Sequence, residues 1–390
     1  MKHDAVVVGG SISGLCCARE LARRGCRTIV FEEDHEIGSP EHCGGVVSSD
    51  ALADLGILPE LKTYECAISE AEVFAPDGRS FVMPSEKQKV IEVNRRELDK
   101  HVAGQAHDCG AEIRVRTRVT GMADGLVQTQ DGELRPRIIV DARGISPLAR
   151  RASTGVLLSA QYEIRAPWIS DRIEVYLDHE RYPGYFAWVI PLSGAAAKAG
   201  VAGRGIDPAK RLDEFLRSKG RYSTMRKMVA PIWVGGPIKK FIQDATVTVG
   251  DAAGQTKPST AGGIYSCGVG GIMAGRAIAK FLDTNNRTDL ESYQREWTAR
   301  FGREFKRQLA ARKILEGLDN IAINRLFDDI TPDLVHRISH MGDFDFHIGA
   351  VAKLLGLRGT IGAGMTILDS RIRGLAGRHS STTSNAKNKV

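Results

Sequence analysis

Near the start of the chain, Val6-Val7-Val8 runs into Gly9-Gly10-Ser11-Ile12-Ser13-Gly14, and the next apolar run, Thr28-Ile29-Val30-Phe31, closes on Glu32. An apolar strand, a glycine turn, a helix, a second strand and then an acid is the layout of a dinucleotide-binding βαβ unit. Gly9 permits the tight turn, and Gly14 lets the helix lie close on the strand. The helix N-terminus presents free N–H groups and a positive dipole end to a pyrophosphate. Glu32 falls where the acid that holds an adenosine ribose belongs. Ser11 replaces the middle glycine of G-x-G-x-x-G, so the fingerprint is imperfect. Its setting after a strand, before a helix and ahead of an acid makes a nucleotide site the expectation, over a purely structural turn.

A chain of 390 residues is long enough for two or three core-bearing regions. Its 42% hydrophobic and 26% charged residues are ordinary for a soluble globular protein. No stretch approaches the ~18 consecutive apolar residues of a spanning helix. Lys2 leads directly into the first strand, which predicts no signal peptide and a cytoplasmic protein. The net charge of +7 and isoelectric point near 9.0 fit an anionic cofactor and substrate, an anionic lipid surface, or nucleic acid. Without a nucleic-acid motif or a dense basic block, nucleic acid ranks last. Seven cysteines, an odd number without C-x-x-C spacing, argue against a disulfide framework and a zinc site. Reduced thiols and no metal are expected.

Further along, a first helix is expected from about Ser13 to Arg24, with Leu15, Ala18, Leu21 and Ala22 on one face and Gly25 as its stop. Asn94-Arg95-Arg96-Glu97 has capping-box spacing and precedes Leu98, Val102 and Ala106, a second helix ended by Gly110. Glu112 to Val119 alternates like a strand, and Arg137-Ile138-Ile139-Val140-Asp141 reads as a buried strand running into a glycine turn. Ile173 to Leu177 alternates, and Tyr185-Phe186-Ala187-Trp188-Val189-Ile190-Pro191 is aromatic and strand-like. Aromatics are sparse elsewhere, so this clustering predicts a pocket-forming sheet. Ala245 to Asp251 returns to the strand–glycine–acid pattern. From Asp289 the pattern is helical: Tyr293, Trp297, Phe301 and Phe305 recur every four residues, an amphipathic helix expected to pack on the core rather than on a membrane. Ser380 to Val390 is polar and low in complexity, the signature of a disordered tail.

Three dispersed segments, the Gly9 fingerprint, Asp141-Ala142-Arg143-Gly144-Ile145-Ser146 and Gly250-Asp251-Ala252-Ala253-Gly254, recur in this order in one class of flavoprotein. The chain resembles the FAD-dependent oxidoreductases of the para-hydroxybenzoate hydroxylase fold, and within them the geranylgeranyl reductase family, over about Asp4 to Leu282. The resemblance implies an α/β fold. In it, a discontinuous Rossmann-like FAD domain (1–75, 92–160 and 242–285) is interleaved with an antiparallel-sheet substrate domain (76–91 and 161–241). A helical region (286–378) and the tail (379–390) follow.

The same resemblance assigns roles. Arg95 matches an arginine near the FAD pyrophosphate and ribityl chain; read alone, it is a first-turn surface arginine. Asp251 matches the aspartate that accepts hydrogen bonds from the ribityl hydroxyls; read alone, it is a helix cap. Pro258-Ser259-Thr260-Ala261-Gly262-Gly263-Ile264 precedes a long helix whose N-terminus would stabilise negative charge on the reduced flavin. Gly9, Gly10, Ser13, Gly14, Glu32, Glu33, Cys43, Gly44, Val119, Asp141 and Gly144 complete the implied cofactor contacts. Cys43, in Glu41-His42-Cys43-Gly44-Gly45, is similar to the family's cysteine near flavin and substrate. It would position the alkene or act as a weak acid, whereas spacing alone reads it as a small buried hydrophobe. Phe186-Ala187-Trp188-Val189-Ile190-Pro191, followed by Gly200, is similar to the reductases' Y-x-W-x-F-P…G motif, with Phe186 for Tyr and Ile190 for Phe. Phe186, Trp188 and Pro191 are thus implied to contact substrate, and Tyr185 and Trp188 join Cys43 as catalytic candidates. The segment is also similar to the W-x-W-x-I-P motif of flavin halogenases.

The function so implied is alkene reduction: reduced FAD delivers hydride from N5 to a prenyl double bond of a prenylated lipid or prenyl diphosphate, and a proton completes saturation. No second nicotinamide-binding unit is evident, so an external donor, NAD(P)H, ferredoxin or a deazaflavin, would supply electrons. A peripheral encounter with an anionic bilayer would fit the positive charge. The alternatives on the same scaffold are a flavin monooxygenase or halogenase, and a non-catalytic flavin-binding electron-transfer protein.

Overall fold

In the computed structural model, which describes residues 3–58, 62–85, 88–151 and 153–341, the chain opens with β1 (Ala5–Val8), α1 (Ile12–Ala22), β2 (Thr28–Phe31), β3 (Val46–Ser48) and α2 (Ser49–Asp54). There follow β4 (Tyr64–Ile68), β5 (Glu70–Phe74), β6 (Ser80–Pro84), β7 (Val90–Val93), α3 (Arg95–Asp108), β8 (Glu112–Arg114), β9 (Val119–Ala123) and β10 (Leu126–Thr129). Next are β11 (Gly132–Leu134), β12 (Ile138–Asp141), α4 (Ser146–Arg151), β13 (Val156–Arg165), β14 (Ile173–Tyr176), β15 (Ala187–Pro191) and β16 (Ala196–Gly203). The described chain closes with α5 (Pro208–Lys219), β17 (Ser223–Trp233), β18 (Ile242–Gln243), β19 (Thr246–Thr248), α6 (Ile264–Thr284), α7 (Arg287–Leu315), α8 (Asn320–Asp328) and α9 (Pro332–Met341).

Two compact units share this chain. The first takes 1–67, 88–157 and 230–309. Its main sheet has the order β18-β19-β12-β1-β2-β8. β12, β1, β2 and β8 run parallel, with β19 parallel to β12 and β18 antiparallel at the edge. Every residue of β1, β2 and β12 is buried, as expected of parallel strands covered on both faces. Helix α1 returns the chain from β1 to β2 and packs on α6, where glycines replace side chains at the contact. A Cβ on Gly271 would lie 2.1 Å from the Ser13 carbonyl oxygen, and one on Gly275 2.7 Å from that of Cys17. Tyr293, Trp297, Phe301 and Phe305 of α7 are all buried, and Trp297 Nε1 donates to the Ser266 carbonyl of α6 at 3.1 Å. The aromatic stripe is therefore core.

The second unit takes 68–87, 158–229 and the described residues from 310. Its seven-stranded sheet has the order β17-β13-β16-β15-β14-β5-β6; from β13 to β6 neighbours run antiparallel except where β14 meets β5. Helix α5, capped by Asp207 accepting from the Lys210 amide, covers the face that carries Tyr162, Val189, Ala199 and Val201.

The sequence expectation for the exchange points moves in two places. β5 lies in the second unit, so the first stretch ends at 67 rather than 75. The region from 230 belongs to the first unit, ahead of the expected 242. The helical region expected from 286 is present as α7, α8 and α9, with α7 divided between the two units at 309. The strand expected over Glu112–Val119 is also interrupted. Arg116 adopts φ 53°, its amide donates to the Asp34 carbonyl, and β8 ends at Arg114. The expected tail, 379–390, and the end of the helical region lie outside the described residues.

Candidate active site

In the first unit the β1–α1 turn is closed by contacts that only glycine allows. Gly9 has φ 111°, and a Cβ there would sit 2.3 Å from the Ala142 carbonyl oxygen; one on Gly14 would sit 2.1 Å from the Gly9 carbonyl oxygen. The helix N-terminus is pinned to the end of β12 and carries no side-chain cap from Ser11, which leaves its first-turn N–H groups available. Glu32 Oε2 accepts from the Gly10 amide at 2.7 Å, and Oε1 from the Asp34 amide at 3.0 Å. Burial pushes this carboxyl above the usual range, partly opposed by those two amides. Each of its oxygens keeps a further lone pair for a hydroxyl.

Arg95 joins three distant segments. It is the first residue of α3, capped by Asn94 accepting from the Glu97 amide. Its guanidinium holds Asp99 with two 3.0 Å bonds and reaches Ser11 Oγ at 3.5 Å. The Cys43 thiol lies within its hydrogen-bond reach. Cys43 Sγ also accepts from the Gly45 amide at 3.4 Å. Burial opposes the charges of both Arg95 and Asp99 and pushes the Asp99 carboxyl up, while their pairing keeps Arg95 cationic. Arg95 Nε is buried without a hydrogen-bond partner. A buried, charged donor left open beside an uncapped helix start fits an anionic ligand such as FAD pyrophosphate.

Asp251 lies in a 3-10 turn, Gly250–Ala253, after β19. Its Oδ1 accepts from Thr256 Oγ1 and, at 3.4 Å, from Cys267 Sγ. Oδ2 makes no hydrogen bond among the described residues. Gly250 has φ 67°, and a Cβ on it would strike Ser13 Oγ at 2.3 Å, which locks the third motif onto the first. Gly263 caps α6, with the position of its Cβ 3.4 Å from Asp251 Oδ1; Ile264 begins the helix and Gly262 precedes the cap. Two buried residues that sequence reasoning missed hold this turn. Gln255 accepts from the Gly250 amide at 2.8 Å and donates to Tyr293 Oη at 2.8 Å, and Tyr293 Oη donates to the Thr248 carbonyl at 2.9 Å. A polar Gln-Thr pair following the glycine–acid motif was the available signal.

The other expected cofactor residues are less engaged. Asp141 is clasped by the Arg143 guanidinium through two 2.9 Å bonds, so its charge is already compensated. Gly144 follows with φ 64°. Glu33 is half exposed and pairs with Arg118 at 3.1 Å. Val119 begins β9, and Gly44 is partly buried in the Cys43 loop.

In the second unit, Trp188 lies opposite Gly200 in the β15–β16 register. A Cβ on Gly200 would be 2.3 Å from Trp188 Cζ2, so the indole lies across the bare backbone. Its Nε1 donates to Gln161 Oε1 at 3.2 Å. Tyr185 stacks on Phe186 with ring centroids 4.1 Å apart, and both meet Trp188 edge-on at 6.3 and 6.0 Å. Pro191 closes β15 opposite Ala197. The result is a rigid aromatic wall with a polar tie at one end.

A family model described as FAD dependent oxidoreductase matches residues 4–84. Digeranylgeranylglycerophospholipid reductase 2 of Methanopyrus kandleri is 30% identical over 370 residues, covering 87% of this chain and 93% of that protein. The chain belongs to this reductase family. Its members are FAD-dependent oxidoreductases, and FAD is the cofactor that the βαβ turn, Arg95 and Asp251 fit. Among solved structures, a geranylgeranyl bacteriochlorophyll reductase-like protein from Thermoplasma acidophilum shares the fold, with TM-score 0.82 and 21% identity over 95% of this chain and 99% of that one. A probable FAD-dependent monooxygenase from Pseudomonas aeruginosa has TM-score 0.64 and 20% identity over 84% of this chain and 100% of that one. The same fold thus also occurs in a protein described as a probable monooxygenase.

Proposed function

We propose that this chain is an FAD-dependent reductase that saturates prenyl double bonds of isoprenoid membrane lipids or their precursors. The observation that carries the reading is the aromatic wall built by Trp188 over Gly200, set on a chain whose relatives are named for geranylgeranyl lipids. A polyprenyl chain laid on that wall gains ~0.8 kcal/mol per buried CH₂.

When bound, FAD supplies the electron pair for the saturation. The chain's own groups divide the remaining work. First-turn amides of α1 and Arg95 hold the pyrophosphate, Glu32 the adenosine ribose, and Asp251 the ribityl hydroxyls. The N-terminus of α6 offsets negative charge that builds on the reduced cofactor. Cys43, held beside Arg95, contacts the alkene or gives up the proton that completes the saturated bond. An external donor, NAD(P)H, ferredoxin or a deazaflavin, furnishes electrons.

The deciding experiment is anaerobic: reduce the yellow holoenzyme with dithionite, add digeranylgeranylglycerophospholipid, and follow lipid mass and the 300–550 nm spectrum. The expected result is mass gain in steps of two hydrogens as oxidised flavin returns. Reduced protein that leaves the lipid unchanged under these conditions and, once oxygen is admitted, couples its consumption to substrate hydroxylation would replace this reading with the monooxygenase one.

A further inference from the structure

The carboxylates of the cofactor cradle are held in different ways. Glu32 accepts from backbone amides, and Asp99 is clasped by the Arg95 guanidinium. Asp251 instead meets two neutral side-chain donors on one oxygen: Oδ1 accepts from Thr256 Oγ1 and, at 3.4 Å, from Cys267 Sγ. Thr256 is 3% exposed and Cys267 2%, and their Oγ1 and Sγ atoms lie 4.0 Å apart. All three side chains converge on bare backbone at Gly263. A Cβ there would lie 3.1 Å from Cys267 Sγ, 3.4 Å from Asp251 Oδ1 and 3.5 Å from Thr256 Oγ1.

The backbone sets both donors in place. Gln255 ties itself to Gly250 in both directions: its amide donates to the Gly250 carbonyl at 3.1 Å, and its Oε1 accepts from the Gly250 amide at 2.8 Å. Thr256 follows it directly and so meets the Asp251 turn. Cys267 sits in the first turn of α6, its amide donating to the Gly263 carbonyl at 2.9 Å. A buried cysteine ordinarily only fills space. This one keeps its proton, because burial and the Asp251 charge push the thiol well above its ordinary range. An S–H can donate to the carboxylate, whereas a thiolate would repel it. A carboxylate oxygen offers two lone pairs, so Thr256 and Cys267 together fill Oδ1.

We infer that Thr256 and Cys267 are positioning residues for FAD: by filling Oδ1 they fix the Asp251 carboxylate so that Oδ2 alone accepts from the ribityl hydroxyls. The inference rests on the assignment of Asp251 to the ribityl chain and adds a source of selectivity to it. A carboxylate locked in one orientation favours the hydroxyl at one place on the chain, while a rotating one accepts from any hydroxyl within reach.

The test lets FAD compete with analogues that each lack one ribityl hydroxyl. Holoprotein is incubated with equimolar FAD and analogue until the bound ratio is constant, and the released cofactors are quantified by mass spectrometry. Wild-type protein is expected to prefer FAD over at least one analogue by about tenfold or more, the worth of a hydrogen bond to a charged group. Thr256→Val and Cys267→Ala are each expected to shrink that preference by about threefold or more. Thr256→Ser and Cys267→Ser, which keep a donor, are expected to retain it. The two positions are read independently, so a variant that fails to fold leaves the other to decide. A preference unchanged in the valine and alanine variants means they weaken both cofactors alike, and it overturns the inference; so does equal loss in the serine variants. In either case Asp251→Ala still abolishes the preference if the ribityl assignment holds. Wild-type protein that prefers FAD over none of the analogues overturns both.

Discussion

Glu20 shows how one residue sets acid sensitivity. Its buried carboxylate on α1 meets Arg23 at 2.9 Å, Arg24 at 2.6 Å and Arg276 of α6 at 3.2 Å. Burial raises its proton affinity, but Arg276, Arg23 and Arg24 outweigh it and hold the carboxyl below the usual range. A carboxyl depressed in the folded state stabilises above its unfolded pKa of ~4.3, and that stability is lost as pH falls through the folded value. Glu20→Gln should therefore cost about 1 kcal/mol at pH 7, because its arginine partners are partly solvated, and flatten the loss below pH 4. Urea unfolding at pH 7, 4 and 3 checks this; a variant that loses as much on acidification as the wild type refutes it. Tyr185 was legible in the sequence as a motif neighbour; its packing against Arg312 was not, because that arginine comes from a distant helix.

At the scale of elements, glycines decide how closely backbones approach. Gly271→Ala would push a methyl into the Ser13 carbonyl, where the ideal Cβ lies 2.1 Å away. Separating α6 from α1 should cost about 1–3 kcal/mol or more and reduce FAD content, read from the visible spectrum and Tm. Gly200→Ala acts in the other unit: its Cβ would displace the Trp188 indole. Lipid binding is expected to weaken about tenfold with FAD content unchanged; unchanged lipid affinity would remove Trp188 from the wall. The βαβ unit was readable because its periodicities and glycines are local. The Arg95 junction was only half readable: the capping box places the residue on α3, but Ser11, Cys43 and Asp99 meet it through tertiary packing. The strand break at Arg116 escaped because side-chain alternation carries no sign of a residue at φ 53°.

For the molecule as a whole, no helix among the described residues is long and apolar enough to cross a membrane. A net charge of +7 should draw the protein to anionic vesicles, each basic residue near the surface adding ~1 kcal/mol, with release at high salt. Flotation with anionic and zwitterionic vesicles tests this; equal recovery with both would discard charge as the cause. Interleaving was legible as a pattern, since nucleotide motifs recur on either side of the aromatic strands, but exchange points such as 67 and 229 depend on which sheet each strand joins. That interleaving also imposes a timetable on synthesis. The ribosome delivers β1, α1 and β2 early, but β19 and α6 only after all seven strands of the second unit's sheet have emerged. The parallel core must wait through this interval with apolar faces uncovered, as happens in slow, non-local topologies. For this fold, the first unit has all of its segments only once Leu309 has left the ribosome.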